Sequence, residues 1–155
     1  ILISQARGAG EINRLGPIAY AAVGGSLVWL TIAFLVLAGF GRAISDVITS
    51  DVDVAAMSAA ILLVMAPMLI ADSLQSTMLG ALRGLSDTAY PAIVSTVAYW
   101  PVALPLGWLL ADWAGMGPSG IWAGFLIGLA WSGIMLLLRF RGKVKALASP
   151  QHQFP

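Results

Sequence analysis

The stretch MAPMLIADSLQSTMLGALRGLSD, from Met65 to Asp87, decides how the rest of the chain is read. It starts inside a long apolar run, carries one carboxylate at Asp72, and ends on the charged residues Arg83 and Asp87. The run from Val54 to Leu82 is interrupted only by Asp72. It is longer than one bilayer crossing of about 20 residues requires, so the helix must tilt, kink or project. An acid inside such a span costs roughly 2.5–3.5 kcal/mol on insertion scales. That cost points to a role that offsets it.

Composition agrees with a membrane setting. The chain is 59% hydrophobic and 10% charged, against about 25% charged in an ordinary soluble domain. The predicted class is therefore all-α and polytopic, with the lipid bilayer as a partner. A formal charge of +1 gives no reason to expect a nucleic-acid partner. There is no cysteine, and His152 is the single histidine, in a polar tail. No phosphate-cradling glycine loop, nucleophile elbow or metal-ligand spacing occurs, so neither an enzyme nor a cofactor is expected. The chain opens on Ile1 with no signal segment, which reads as a truncation at the amino end.

Outward from Met65, four spans are predicted at about 17–40, 54–82, 88–111 and 121–138, followed by a basic, polar tail over 139–155. Pro17 suits a first helical turn. Residues 41–53 read as a loop in which Asp51 or Asp53 caps the next helix. Pro67 supplies a reason for a kink, and Pro101 and Pro105 argue for a bent or locally opened third span. Gly120, Gly124, Gly128 and Ser132 recur every four residues, a small-residue ridge that allows close backbone approach. Of eight Lys and Arg, seven (Arg7, Arg14, Arg83, Arg139, Arg141, Lys143, Lys145) fall on one side of such a bundle and only Arg42 on the other. The positive-inside rule makes the first side cytoplasmic, with the carboxyl terminus there and the protein multi-pass in the cell membrane. The basic cluster after the fourth span reads as an ordinary anchor to lipid headgroups. Trp108, Trp113 and Trp122 read as an outer interfacial belt.

At 1.5 Å per residue Asp72 lies roughly 16 Å along the helix from Arg83, near the middle of a core about 30 Å thick. Transporters place ion and substrate sites at that level. Helical spacing puts Met65, Met68, Gln75, Ser76 and Leu79 on its face. Asp72, Gln75 and Ser76 are the candidate cation or proton site, with Asp72 as the sodium ligand if the ion is sodium. Met65 and Met68, flexible and polarisable, are candidate walls of a substrate pocket. Tyr99, roughly 16 Å in from Thr88, is a third wall at the same depth.

These residues also resemble a known family. DSLQSTMLGALRGLSDT (Asp72–Thr88), AYWPVALPLGWLLA (Ala98–Ala111), GIWAGFLIGL (Gly120–Leu129) and the opening ISQARGAGE are similar to the carboxyl-terminal half of multidrug and toxic compound extrusion (MATE) transporters. The resemblance implies a twelve-helix antiporter of two six-helix lobes, of which residues 1–155 are part of the carboxyl-terminal lobe. It implies export of amphipathic, often cationic compounds against sodium or proton entry. Asp72 matches the family's tenth-helix cation-site acid. The partner acid on the seventh helix and the amino-terminal lobe have no counterpart in this chain. Two alternatives stand beside it: a lipid-linked precursor flippase, which would need cations in its cavity, and a four-helix membrane scaffold.

Overall fold

The computed structural model describes residues 1–149. Among them every regular element is a helix, as a lipid-facing backbone requires if its polar groups are to be satisfied. A short α1 (Leu2–Gly8) leads by a turn into α2 (Ile12–Ile48), and α3 spans Val52–Gly84. The third crossing is composite: α4 (Ala89–Val97), a π-helical segment (Ala98–Ala103) and α5 (Leu104–Asp112). The last helix, α6, covers Pro118–Leu147. Four of these stretches are long and apolar enough to cross a membrane.

Helix ends depart from the expected boundaries for electrostatic reasons. Residues 41–48 are helix, not loop. Arg42 and Asp46 pair one turn apart at 3.0 Å, so charge is accommodated on the surface of α2 beyond its apolar stretch. The turn that remains is short, and Asp51 caps α3 by accepting from the backbone N–H of Asp53 (2.9 Å) and Val54 (3.1 Å). Likewise α6 does not stop at Leu138 but carries the basic residues two further turns to Leu147. Residues 150–155 of the expected tail, His152 among them, lie outside the described residues.

Two of those basic residues, read from the sequence as part of a headgroup anchor, are paired within the bundle. Asp87, only 8% exposed, sits between Arg139 Nε at 2.9 Å and Lys143 Nζ at 3.2 Å. The Arg139 guanidinium also stacks over the Tyr90 ring, 4.8 Å from its centre. Burial pushes the Asp87 carboxyl up, but the hydrogen bonds and charges of Arg139 and Lys143 outweigh it and hold the group below the usual carboxylate range. On the other flank of the same turn, Arg7 donates to the Ser86 hydroxyl at 2.9 Å, and Ile3 packs directly on Gly84. The α3–α4 turn is thereby tied to both α1 and α6.

α3 is the centre of the bundle, packing along α2 on one side and α6 on the other, while α2 and α6 barely meet. Met78, Leu82, Leu136 and Phe140 form the buried seam between α3 and α6 towards the basic end. The small-residue ridge of α6 faces α5 and the π segment. A Cβ on Gly120, Gly124 or Gly128 would run into backbone: Leu110 C at 2.6 Å, Ala103 O at 2.6 Å and Ala98 O at 2.7 Å respectively. In lipid, where apolar burial drives helix association weakly, such close backbone approach favours the packing of α6 on α5 and the π segment.

Candidate functional site

The composite third crossing sets the site's shape. Pro101 has no N–H to give the carbonyl one turn back, so the local register widens. The Leu104 N–H then donates to the Tyr99 carbonyl, five residues earlier. This widened turn holds Tyr99 opposite α3. The expected local opening of the third span is therefore present as a π-helical segment, whereas α3 runs as one continuous helix through Pro67.

Between α3, the π segment and α6 lies a pocket of about 360 Å³ lined by Met68, Leu69, Asp72, Tyr99, Trp122 and Phe125, with Leu129 at its base. Three residues singled out in the sequence (Met68, Asp72 and Tyr99) share this wall. Asp72 is half-buried and makes no ion pair or side-chain hydrogen bond among the described residues. Its free oxygens are thus available to a cation entering the pocket. Gln75, only 4% exposed, stands behind the wall. It accepts from the Tyr99 hydroxyl at 3.4 Å and donates to the Ser95 hydroxyl at 3.3 Å. These are long, weak bonds, and Gln75 acts here as a support for Tyr99 rather than as a wall residue.

Two sequence candidates are not brought in. Ser76 is exposed, one turn towards the Arg83 end, where the pocket has closed. Met65 lies about 10 Å up α3 from Asp72, at 1.5 Å per residue, beyond the pocket lining. Two aromatic residues were missed instead. Trp122, read from the sequence as part of an outer belt, lines the pocket, and its ring centre lies 6.4 Å from that of Phe125, which in turn lies 6.3 Å from Tyr99. The available signal was the spacing of Trp122, Phe125 and Leu129 at intervals of three and four, a single stripe of α6.

A larger cleft, about 620 Å³, lies at the basic end between Arg7, Glu11, Arg14 and Leu147. It is bordered by Ala148, at the limit of the described residues, and Glu11 already neutralises Arg14 at 2.6 Å. The Asp72 pocket is the stronger candidate. It combines an acid unpaired among the described residues, three aromatic rings and a thioether. Such walls can hold an amphipathic cation through apolar contact, ring faces and one carboxylate.

The MatE family model matches residues 1–109. A curated relative from Bradyrhizobium diazoefficiens, described as "Probable multidrug resistance protein NorM", is 37% identical over 132 residues, 84% of this chain and 28% of that protein. A protein of the same description from Deinococcus radiodurans is 36% identical over 152 residues, 94% of this chain and 34% of its own length. The chain thus spans about a third of the curated relatives it matches. A crystal structure of the Vibrio cholerae MATE transporter VcmN in the bent form superposes with a TM-score of 0.83 at 21% identity, covering 94% of this chain and 33% of that one. That likeness concerns the fold.

Proposed function

This chain belongs to the MatE family, and from that membership we propose that it works as part of a cation-coupled antiporter exporting amphipathic, chiefly cationic compounds across the cell membrane. The observation that carries the reading is Asp72, an acid in mid-span with no protein counter-charge among the described residues, opening into an aromatic-walled pocket. The remaining helices of a twelve-helix transporter, including an amino-terminal lobe, would be supplied by further sequence. The basic side, with the carboxyl end of α6, faces the cytoplasm, as the positive-inside rule requires.

Exchange follows from competition for one carboxylate. With Asp72 ionised, the pocket attracts an organic cation. A proton or sodium ion arriving at Asp72 removes that attraction, and the compound leaves. This couples the two fluxes only if cation-loaded and drug-loaded forms favour different conformations. The π segment is the element placed to differ between them, because it already sits off the α-helical register and carries Tyr99. Either ion is compatible with a lone carboxylate; sodium would draw its further oxygens from water or from other helices, since Gln75 is engaged and Ser76 is turned away.

No Lys or Arg lines the pocket, so nothing observed favours a flippase holding a pyrophosphate. The test is dye efflux by the complete polypeptide under imposed sodium and proton gradients applied separately. Asp72→Asn is expected to remove gradient-driven efflux at normal expression. Efflux at the unmodified rate in that variant would refute the proposal.

A further inference from the structure

The cations at the end of α6 do not share one environment. Arg139 and Lys143 are held on Asp87. Arg141, about 200° around the helix from Arg139, reaches α2 instead, where its Nε donates to the Tyr20 hydroxyl at 3.0 Å. Its two terminal amino groups have no acceptor among the described residues. What remains is an exposed, pre-oriented fork, the geometry that suits a phosphate.

Along the same seam lies a groove of about 260 Å³, formed where α2 and α6 diverge over α3. Val23 and Leu27 form one wall, Ala130 and Ile134 the other, and Pro67 and Leu74 the floor. At 100° per residue Ala130, Ile134 and Arg141 fall within about 20° of one stripe, as do Tyr20 and Leu27. Arg141 is about 10 Å along α6 from Ile134 and about 16 Å from Ala130. The groove and its cationic mouth therefore cover one half of a hydrocarbon core about 30 Å thick. α1 does not compete for this space, because Ile1, Leu2 and Ile3 lie against Ile18, Ala22 and Gly80 in a different seam.

We propose that this seam binds one anionic glycerophospholipid of the leaflet at the basic end. Its phosphate sits on the Arg141 fork beside Tyr20, and one acyl chain lies between α2 and α6. The groove has no polar wall group and is smaller than the roughly 300–1,000 Å³ of small-molecule pockets; it fits a chain rather than a drug. General attraction of anionic lipid would be spread over all the cations of the basic end. Here one arginine is singled out by its place at the mouth of the groove. The inference stands apart from the role of Asp72, on the opposite side of α3.

Native mass spectrometry of the complete polypeptide in mild detergent tests it, with phosphatidylglycerol and phosphatidylcholine of matched chains as probes. One phosphatidylglycerol should be retained in preference to phosphatidylcholine. Arg141→Gln should cut that retention about fivefold, the value of one basic contact with an anionic lipid, whereas Arg83→Gln removes the same charge elsewhere and should leave it unchanged. Ile134→Trp, at a half-exposed position, should reduce retention by filling the groove while the helical circular dichroism stays the same. Added glycerol 3-phosphate should not compete. Equal losses in Arg141→Gln and Arg83→Gln, equal retention of both lipids, no effect of Ile134→Trp, or displacement by glycerol 3-phosphate would each overturn the proposal.

Discussion

Replacing Gly124 by alanine adds a single methyl group where α6 packs backbone to backbone on α5 and the π segment. That carbon would meet the Gly107 backbone and stand 2.6 Å from the Ala103 carbonyl oxygen. An ordinary carbon–oxygen approach is about 3.3–3.6 Å, so α5 and the π segment must retreat by on the order of 1 Å. Neither neighbour can rotate away, because both are main chain. Overpacking of this kind costs about 1–3 kcal/mol, and backbone on both sides favours the upper end. Alanine recovers up to about 1 kcal/mol of helix propensity over glycine, leaving a net loss of about 2 kcal/mol. Gly24→Ala is the internal control, since nothing lies within 4 Å of its added carbon and only the propensity gain applies. Thermal denaturation of the complete polypeptide in one detergent should place Gly124→Ala below the parent, by less than the ~4–8 °C that about 2 kcal/mol would produce in a unit of about 150–250 residues. Gly24→Ala should sit at or above the parent. If Gly124→Ala matched Gly24→Ala, the account of the α5–α6 contact would be wrong.

Two further outcomes are expected. Asp87 has a lowered folded-state pKa, so its stabilising contribution should be complete above about pH 4, its ordinary range, and should disappear as pH falls through the lowered value. Asp87→Asn should therefore melt below the parent at neutral pH, with the gap closing under acid conditions; a gap that widened on acidification would reverse the sign of this reasoning. Pro101→Ala restores the missing N–H and should let the π segment relax towards α-helical register. Slower amide exchange over residues 98–104 together with reduced dye efflux is expected, and unchanged efflux would remove the segment from the transport cycle.

Much of the fold could be read from residue order because the four apolar runs are strong, local signals. The ridge from Gly120 to Ser132 was equally legible, although only the structure shows that α5 and the π segment occupy it. Helix ends were harder. The sequence places a loop at Arg42 because a charge ordinarily marks a water boundary, yet Asp46 lies one turn away and the pair rides on the helix. The sequence reads Arg139 and Lys143 as a headgroup anchor because their partner, Asp87, is more than fifty positions earlier. The same distance effect governs the pocket. Met68 and Asp72 share a face of one helix and were found by periodicity. Trp122 and Phe125 join them only through the packing of α6 on α3, which periodicity within one helix does not reveal. Ser132 remains without an account: its hydroxyl is fully buried and has no hydrogen-bond partner among the described residues.

The central place of α3 also bears on biogenesis. As the polypeptide leaves the ribosome, α2 and α3 can enter the bilayer together as a hairpin, joined by a very short turn. The surface on which α3 finally docks belongs to α6, and the intervening crossing has to be inserted first. Until then Asp72 has at most Tyr99 beside it, because Trp122 and Phe125 arrive only with α6. A pause or premature stop before Pro118 would therefore strand an acid in the hydrocarbon, a mark that membrane quality control could recognise.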